Sequence, residues 1–450
     1  MTVSVKDDQI LDAIYESQNK WVSVEVKIDQ PTNPIMLFQI TEDKADDRFY
    51  FRENSGETAF FGFDALLKLK NDYENKQTIF REWENYKNDI ALIHPDSENH
   101  HLKVCGGFQF SSHKSDDEWR QFGLNHFVLP KILITLDESA TYITYTVLRE
   151  EFDIEVLHDI VDKVAHTKVQ PTQPNGNISR SEDIYKEEWL ELVQEAIDSM
   201  NDEEKIVLAR RRLIRFDKKI DIAYILENAM KNESNSYIFV MQSEGSVFFS
   251  QTPEQLMEVE NQVLSTKAVA GTIRRTSDEA QDKKHVDAFL QDSKNLQEHH
   301  FVVQSILDDI APYVNKVDYN THPKILKNDH LYHLYTEISA DLEYKTYIGL
   351  LDRLHPTPAL GGYPKDKAMD FIEQKEFGTR GLYGAPVGYI DMEDNCEFIV
   401  AIRSMLIKQD QATLYAGCGI IKQSDPQSEL DETTLKFTPM MNALGVENHG

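Results

Sequence analysis

Three apolar segments crowd into one stretch of the chain: Pro386–Ile390, Glu397–Lys408 and Ala412–Ile421. The connections between them are of turn length, so they read as an antiparallel meander. The same part of the chain is punctuated by glycine. It contains His355-Pro356-Thr357-Pro358-Ala359-Leu360-Gly361-Gly362, then Gly381-Leu382-Tyr383-Gly384-Ala385-Pro386-Val387-Gly388, then Ala416-Gly417-Cys418-Gly419-Ile420. Glycine serves where backbone must turn sharply or approach another group closely. A chain with this C-terminal third is committed to a sheet core.

The earlier segments agree. Trp21–Ile28 alternates as a half-buried strand does. Arg48–Arg52, Thr58–Phe63, Lys103–Phe110, Phe127–Leu136 and Thr141–Leu148 add strands, the last two joined by the turn Asp137-Glu138-Ser139-Ala140. Residues 8–18 and 63–95 read as helical. Residues 167–181 carry no apolar period and read as a loop. A helix is expected from Ser181-Glu182-Asp183 to about Met200, with Trp189, Leu190, Leu192, Val193 and Ile197 as its apolar stripe. Ile206–Ile214 reads as a strand entered by Lys205, Ile220–Met230 as a helix, and Tyr237–Gln242 with Ser246–Ser250 as a hairpin around Gly245. Gln255–Glu260, Val263–Ile273 and Leu331–Leu342 are extended, while 277–313, 364–377 and 426–443 are helical. Helices and antiparallel strands in mixed order point to an α+β fold rather than a regular βαβ winding. Residues 1–170 are expected to form the strand-rich part of one large domain, and 171–450 its catalytic part.

The charge balance narrows the function. Among 450 residues, 47 are basic and 77 acidic, a formal net charge of -30. That excludes a broad nucleic-acid or anionic-membrane surface. An anionic ligand would need positive charge concentrated locally. Three scattered cysteines, Cys105, Cys396 and Cys418, make neither a disulfide framework nor a zinc site. No run approaches the ~20 apolar residues of a membrane span, and the N-terminus lacks the apolar core of a signal peptide. A soluble, cytoplasmic protein is the expectation.

Several residues carry chemistry or a bland substitute for it. Lys205 at the mouth of an apolar strand is either a lysine that snorkels to water or a desolvated amine able to act as a general base. Glu254, in Thr252-Pro253-Glu254-Gln255-Leu256, is either a solvated turn carboxylate or an acid kept protonated by burial. Glu298-His299-His300 has neighbours that diverge around a helix, so the three cannot easily share one ion. Glu429 and Glu432 lie i,i+3 on a helix face, with Lys436 one turn on. An oxygen-rich set of Glu298, Glu429 and Glu432 suits Mg²⁺ better than Zn²⁺. Arg403 is expected inside an apolar strand, Phe398-Ile399-Val400-Ala401-Ile402-Arg403, and needs a partner, either a ligand carboxylate or an internal acid.

In this order, the pieces resemble the chorismate-utilising enzymes, and among them the isochorismate synthases. The resemblance covers roughly residues 180–445; the first 170 match only in general pattern, chiefly around Gly106-Gly107-Phe108. It implies a single large chorismate-binding domain with layered antiparallel sheets and helices outside. By resemblance, Lys205 matches the general base that activates water and Glu254 the general acid. Glu298 and Glu432 match the magnesium ligands, with Glu429 as the accompanying carboxylate. Tyr383, Arg403, Lys436 and the backbone N–H of Gly417 match groups that hold the substrate carboxylates. Gly271 and Thr272 match a turn lining the site, and His333 a histidine near the ring.

Three positions discriminate within the family. Anthranilate synthases carry a glutamine-type residue where this chain has Lys205. Aminodeoxychorismate synthases place a lysine where this chain has Ala270. Salicylate synthases usually have threonine where this chain has Ala359. All three favour an Mg²⁺-dependent isochorismate synthase, with salicylate synthase as the alternative. Cys418 replaces the more usual alanine, and Tyr383-Gly384-Ala385 reorders the common Tyr-Ala-Gly; both leave the catalytic positions intact. The resemblance also implies a role in menaquinone or siderophore synthesis, no glutamine amidotransferase partner, and a monomer or weak homo-oligomer.

Overall fold

The central strands are apolar at nearly every position because both their faces are buried. In Arg48–Arg52, Tyr50 enters one core cluster while Phe49 and Phe51 enter another. Tyr237–Ser243 sends Ile238 and Val240 one way, Phe239 and Met241 the other. Ser246–Thr252, Ser404–Lys408 and Gln411–Ile421 divide their side chains in the same manner. Successive side chains of a strand point to opposite faces, so a sheet covered on both sides loses the polar half of its alternation.

The computed structural model describes residues 6–42, 47–72, 76–111, 117–232, 235–276, 279–327, 331–343 and 348–446. The architecture is α+β. The chain divides into two compact units: one of Met1–Glu254, Ala359–Met392 and Ile399–Gly450, the other of Gln255–Pro358 and Glu393–Phe398. Among the described residues, no helix is long and apolar enough to cross a membrane.

In the first unit, antiparallel pairing runs from Trp21–Ile28 through Thr141–Leu148, Asn125–Leu136, Ala59–Asn71, Arg48–Arg52, Tyr237–Ser243, Ser246–Thr252, Ser404–Lys408 and Gln411–Ile421 to Lys205–Phe216. A parallel pair joins Trp21–Ile28 to Ile90–Ile93. Lys103–Phe108 lies between Asn125–Leu136 and Pro386–Asp391. Strands from both sides of residue 170 therefore share one sheet system. The helices Pro34–Ile40, Ile154–His166, Ile222–Asn232 and Thr438–Leu444 place Leu37, Leu157, Leu226 and Met440 in the larger core cluster.

Several elements depart from the sequence expectation. The segment from residue 63 is not helical at first: the strand Ala59–Asn71 continues past a register shift at Ala65/Leu67, and the helix is only Gln77–Lys87. Lys68 and Lys70 hid the alternation there. Ser181, Glu182 and Asp183 do not start a helix. They belong to the strand Ile178–Ile184, which pairs with Lys205–Phe216. Asp183 takes cross-strand contacts from Arg210 at 3.1 Å and Arg212 at 2.6 Å, a long-range gain that local helix signals cannot report. The chain then turns at Tyr185, φ 54°, into the helix Lys186–Ser199.

In the second unit, Gln255–Glu260 and Val263–Arg274 form a hairpin whose turn residues Asn261 and Gln262 both have positive φ, 51° and 67°. Such a turn matches the natural twist of paired strands. Val263–Arg274 pairs with Leu331–Leu342, which also carries Val314–Tyr319 and Lys324–Lys327. The last two strands are polar and were not legible in the sequence. Helices Glu279–Phe289 and Ser293–Ile310 pack here, with Phe289, Tyr332 and Leu334 as a small buried cluster.

Candidate active site

Lys205 is the first residue of the strand Lys205–Phe216, flanked by Ile421 on one side and Tyr363 on the other. Its side chain lies across the backbone of Gly419: a Cβ there would stand 2.3 Å from Lys205 Cε and 3.1 Å from Nζ. Two residues earlier on the same strand face, a Cβ at Gly417 would stand 2.8 Å from the Tyr383 hydroxyl. Alternate glycines therefore make a floor on which the amine and the phenol rest. Cys418, between them, points the other way and is buried, its Sγ 3.9 Å from the Glu429 carbonyl. This accounts for Gly417-Cys418-Gly419: period 2 demands small residues on one face only.

Glu254 follows the strand Ser246–Thr252. Its N–H donates to Thr252 Oγ1 at 3.2 Å, and its carbonyl accepts from the Val400 N–H at 3.0 Å. The residue is half-buried. Enclosure by protein pushes its carboxyl up to about 7, against the opposing pull of the Arg403 and Lys205 charges. At neutral pH a substantial fraction is therefore protonated, and both cations are near enough to feel its charge.

Arg403 does not lie within a strand. It sits at a break between Cys396–Val400 and Ser404–Lys408, in left-handed backbone at φ 46°. A non-glycine residue there is held at a cost that surrounding contacts must offset. They do so on both sides: the Arg403 carbonyl accepts from Gln251 N–H at 3.1 Å, and the Ile402 carbonyl accepts from Ser250 Oγ at 2.8 Å. An apolar run hides such a kink, because hydrophobicity does not encode φ.

The Tyr383 turn is stitched to the same break. Gly384, φ 71°, donates to the Ala401 carbonyl at 2.9 Å, and Ala401 N–H donates to the Ala385 carbonyl at 3.0 Å. Tyr383 stacks on Tyr415 with centroids 5.4 Å apart, and burial pushes its phenol up, so it stays protonated. Ala359 is exposed, at the start of a segment whose Gly361 carbonyl accepts from Val207 N–H at 2.9 Å.

The helix Pro426–Lys436 is capped by Asp425, which accepts from Ser428 N–H. Lys436 Nζ donates to the Gly417 carbonyl at 2.9 Å and pairs with Glu432 at 2.7 Å. Glu429 is half-buried, and its charge adds to the burial that pushes the Cys418 thiol up. Buried Arg210 ties this helix to the Lys205 strand through Thr433 Oγ1 at 2.8 Å and Thr434 Oγ1 at 2.5 Å. Among the described residues, no group of three or more His, Cys, Asp or Glu gathers closely enough to hold a metal. Glu429 and Glu432 nonetheless supply the hard oxygen donors that a cation such as Mg²⁺ takes.

In the second unit, Gly271 has φ 78° at the register shift opposite His333. Burial lowers the pKa of His333, while a hydrogen bond to the Gly271 backbone partly opposes it. His299 is turned into the sheet, bonded to Thr336 Oγ1 at 2.8 Å and near the Ala270 carbonyl at 3.3 Å. It is a packed structural histidine, and His300 is exposed. The side chains of Thr272 and Glu298 lie outside the described part of the structure.

Sequence reasoning missed Gly419, Arg210, and the ion pair of Glu376 and Arg380. The spacing Glu376-Phe377-Gly378-Thr379-Arg380 is an i,i+4 pair, the available hint. Yet only tertiary contact shows both partners buried, at 8% and 6% exposure, rather than solvated.

A family model described as chorismate binding enzyme matches residues 8–445. The isochorismate synthase MenF of Bacillus subtilis is 32% identical over 431 residues, 92% of each chain. A salicylate biosynthesis isochorismate synthase of Pseudomonas aeruginosa is 29% identical over 94% of this chain and 90% of its own. Among solved structures, the menaquinone-specific isochorismate synthase MenF of Escherichia coli superposes with a TM-score of 0.79 at 21% identity, covering 97% of this chain and 98% of its own. Anthranilate synthase component I of Streptococcus pneumoniae superposes with a TM-score of 0.69 at 19% identity, over 85% and 92%.

Proposed function

The chain belongs to the chorismate-binding enzymes, and we propose that it is an isochorismate synthase working through Lys205 and Glu254. It is an isomerase that converts chorismate to isochorismate. The observation that carries the residue assignment is Glu254: a carboxyl held near pKa 7 by burial, in the field of Lys205 and Arg403.

The reaction adds the oxygen of water at C2 of the cyclohexadiene and breaks the C4–O bond, with both ring double bonds shifting, C1=C2 to C1=C6 and C5=C6 to C4=C5. Hydroxide leaves poorly, so the departing oxygen needs a proton, which protonated Glu254 supplies. Water attacks poorly, so it must surrender a proton as the C2–O bond forms, which Lys205 accepts in its uncharged form, the form in which it no longer draws the Glu254 carboxyl down. One water enters and one leaves, and the two protons balance. Each transfer by a positioned side chain contributes roughly 10²–10⁴ in rate. The packing of Lys205 over Gly419 fixes the direction of its amine. Tyr383, Arg403, Lys436 and the Gly417 N–H orient the two carboxylates of the substrate, and Gly271, Thr272, His333 and Ala359 line the ring.

Glu298, Glu429 and Glu432 are the residues that would hold Mg²⁺. When bound, the ion would neutralise the ring carboxylate and offset the repulsion between an acidic site and a dianion. Lys436, paired with Glu432 at 2.7 Å, tempers that repulsion from the protein's side.

Incubating the pure protein with chorismate and Mg²⁺ and separating the products by chromatography tests the activity. Isochorismate as the sole product is expected. Fluorescent salicylate would instead favour the synthase with an added pyruvate elimination, and unchanged chorismate would remove the assignment.

A further inference from the structure

The strand Lys205–Phe216 has a gap in its sheet. One edge is paired along its length with Gln411–Ile421. On the other edge, Gly362 pairs at Ile206, and Ile178–Ile184 pairs from Arg211 onward. Residues 207–210 fall between. Backbone groups buried there need partners, because an unsatisfied one costs as much as a lost hydrogen bond. The Gly361 carbonyl takes the Val207 N–H at 2.9 Å, and side chains serve two more of these groups. Glu376 Oε1 accepts from the Ala209 N–H at 2.7 Å, and Arg380 Nη2 donates to the Val207 carbonyl at 2.7 Å. The same guanidinium donates through Nη1 to the Leu360 carbonyl at 2.9 Å and forks onto Glu376 through Nε and Nη2, at 2.8 and 2.5 Å. The Arg380 carbonyl accepts from the Tyr383 N–H at 2.9 Å, and the Phe110 ring covers the guanidinium at 4.3 Å.

We propose that Arg380, braced by Glu376, is a positioning residue that replaces the missing strand. Its hydrogen bonds set the distance between the Lys205 strand, the Ala359–Gly361 segment and the Tyr383 turn. Each of these three carries a residue assigned above to the reaction, and the inference rests on that assignment. The planar guanidinium is required because one group must meet a carboxylate and two carbonyls lying in different directions. A lysine keeps the charge but not the fork. Misplacing a reacting group by ~1 Å costs about 10²-fold in rate.

The test compares wild type, Arg380→Lys and Arg380→Met with Lys205→Ala. Circular dichroism first establishes the temperature range in which each is folded, and kinetics are measured well inside it. Arg380→Lys, which retains a cation for Glu376, serves if Arg380→Met does not fold. The expected result is a folded Arg380→Lys whose kcat/KM is at least 10-fold lower, with faster amide exchange in the peptides spanning 205–210 and 359–363. Wild-type kcat and KM in folded Arg380→Lys, or a loss that only follows the unfolded fraction, would overturn the positioning role while leaving an inactive Lys205→Ala to support the reaction assignment. A fully active Lys205→Ala would overturn both.

Discussion

Lys205 lies over the α-carbon of Gly419, so closely that a methyl group there would stand 2.3 Å from Lys205 Cε. The glycine backbone is ordinary extended strand; its lack of a side chain serves the lysine. Gly419→Ala should therefore cost little stability, since the displaced atom is the end of a flexible side chain. It should lower kcat by about 10²-fold through the shifted amine. A thermal melt with a small change beside steady-state kinetics checks this, and an Ala variant with wild-type kcat would show that the amine does not need its present path.

Lys205→Ala and Glu254→Gln should both fold and make isochorismate at least about 10²-fold more slowly than wild type. Removing either partner deletes one proton transfer, a loss of roughly 10²–10⁴-fold. Product chromatography after prolonged incubation is the measurement. Turnover near wild type in either variant would refute the role given to that residue.

The Glu254 carboxyl, raised from 4.5 to about 7, gives a pH dependence of known sign. As acid, it must carry its proton, so kcat/KM should fall as pH rises through about 7. Stability follows the same group. Folding favours the protonated form, so the contribution is intact below about pH 4.5 and is lost as pH rises through about 7. Glu254→Gln escapes that loss and, after a discount for solvent screening of the half-exposed carboxyl, should gain ~2 kcal/mol on wild type across this window. Denaturant titrations at pH 4.5 and 8 would show the gap; a pH-independent difference would contradict it.

Metal removal should abolish turnover in EDTA and restore it with excess Mg²⁺. Glu432→Gln should raise the Mg²⁺ concentration for half-maximal activity by at least 10-fold, and direct titration of Mg²⁺ into the protein by calorimetry should show the same weakening. An unaffected rate in chelator would remove the metal from the reading.

Arg403 should tolerate little change. Its φ of 46° strains any side chain, but the contacts at Gln251 and Ser250 already hold the backbone there. Arg403→Lys should therefore fold and raise KM for chorismate about 10-fold or more, since a bidentate guanidinium–carboxylate contact becomes a single-point one. An unchanged KM would place the substrate carboxylates elsewhere.

Local pattern determined much of this protein. Strand signals marked Trp21–Ile28, Arg48–Arg52, Thr141–Leu148 and Leu331–Leu342 at the bounds the structure has, the first of them by its period-2 alternation. The hairpin at Gly245 was equally plain, because turn chemistry is written in one or two residues. Tertiary structure alone decided the rest. That Ile178–Ile184 is a strand depends on Asp183 meeting Arg210 and Arg212 from another part of the chain. That Arg403 breaks a strand depends on hydrogen bonds to residues some 150 positions away. The charge state of Glu254 is set by how much protein surrounds it, and the value of the Glu376–Arg380 pair by the gap it fills. Each of these energies belongs to a contact between distant segments, and no window of sequence contains both sides of it.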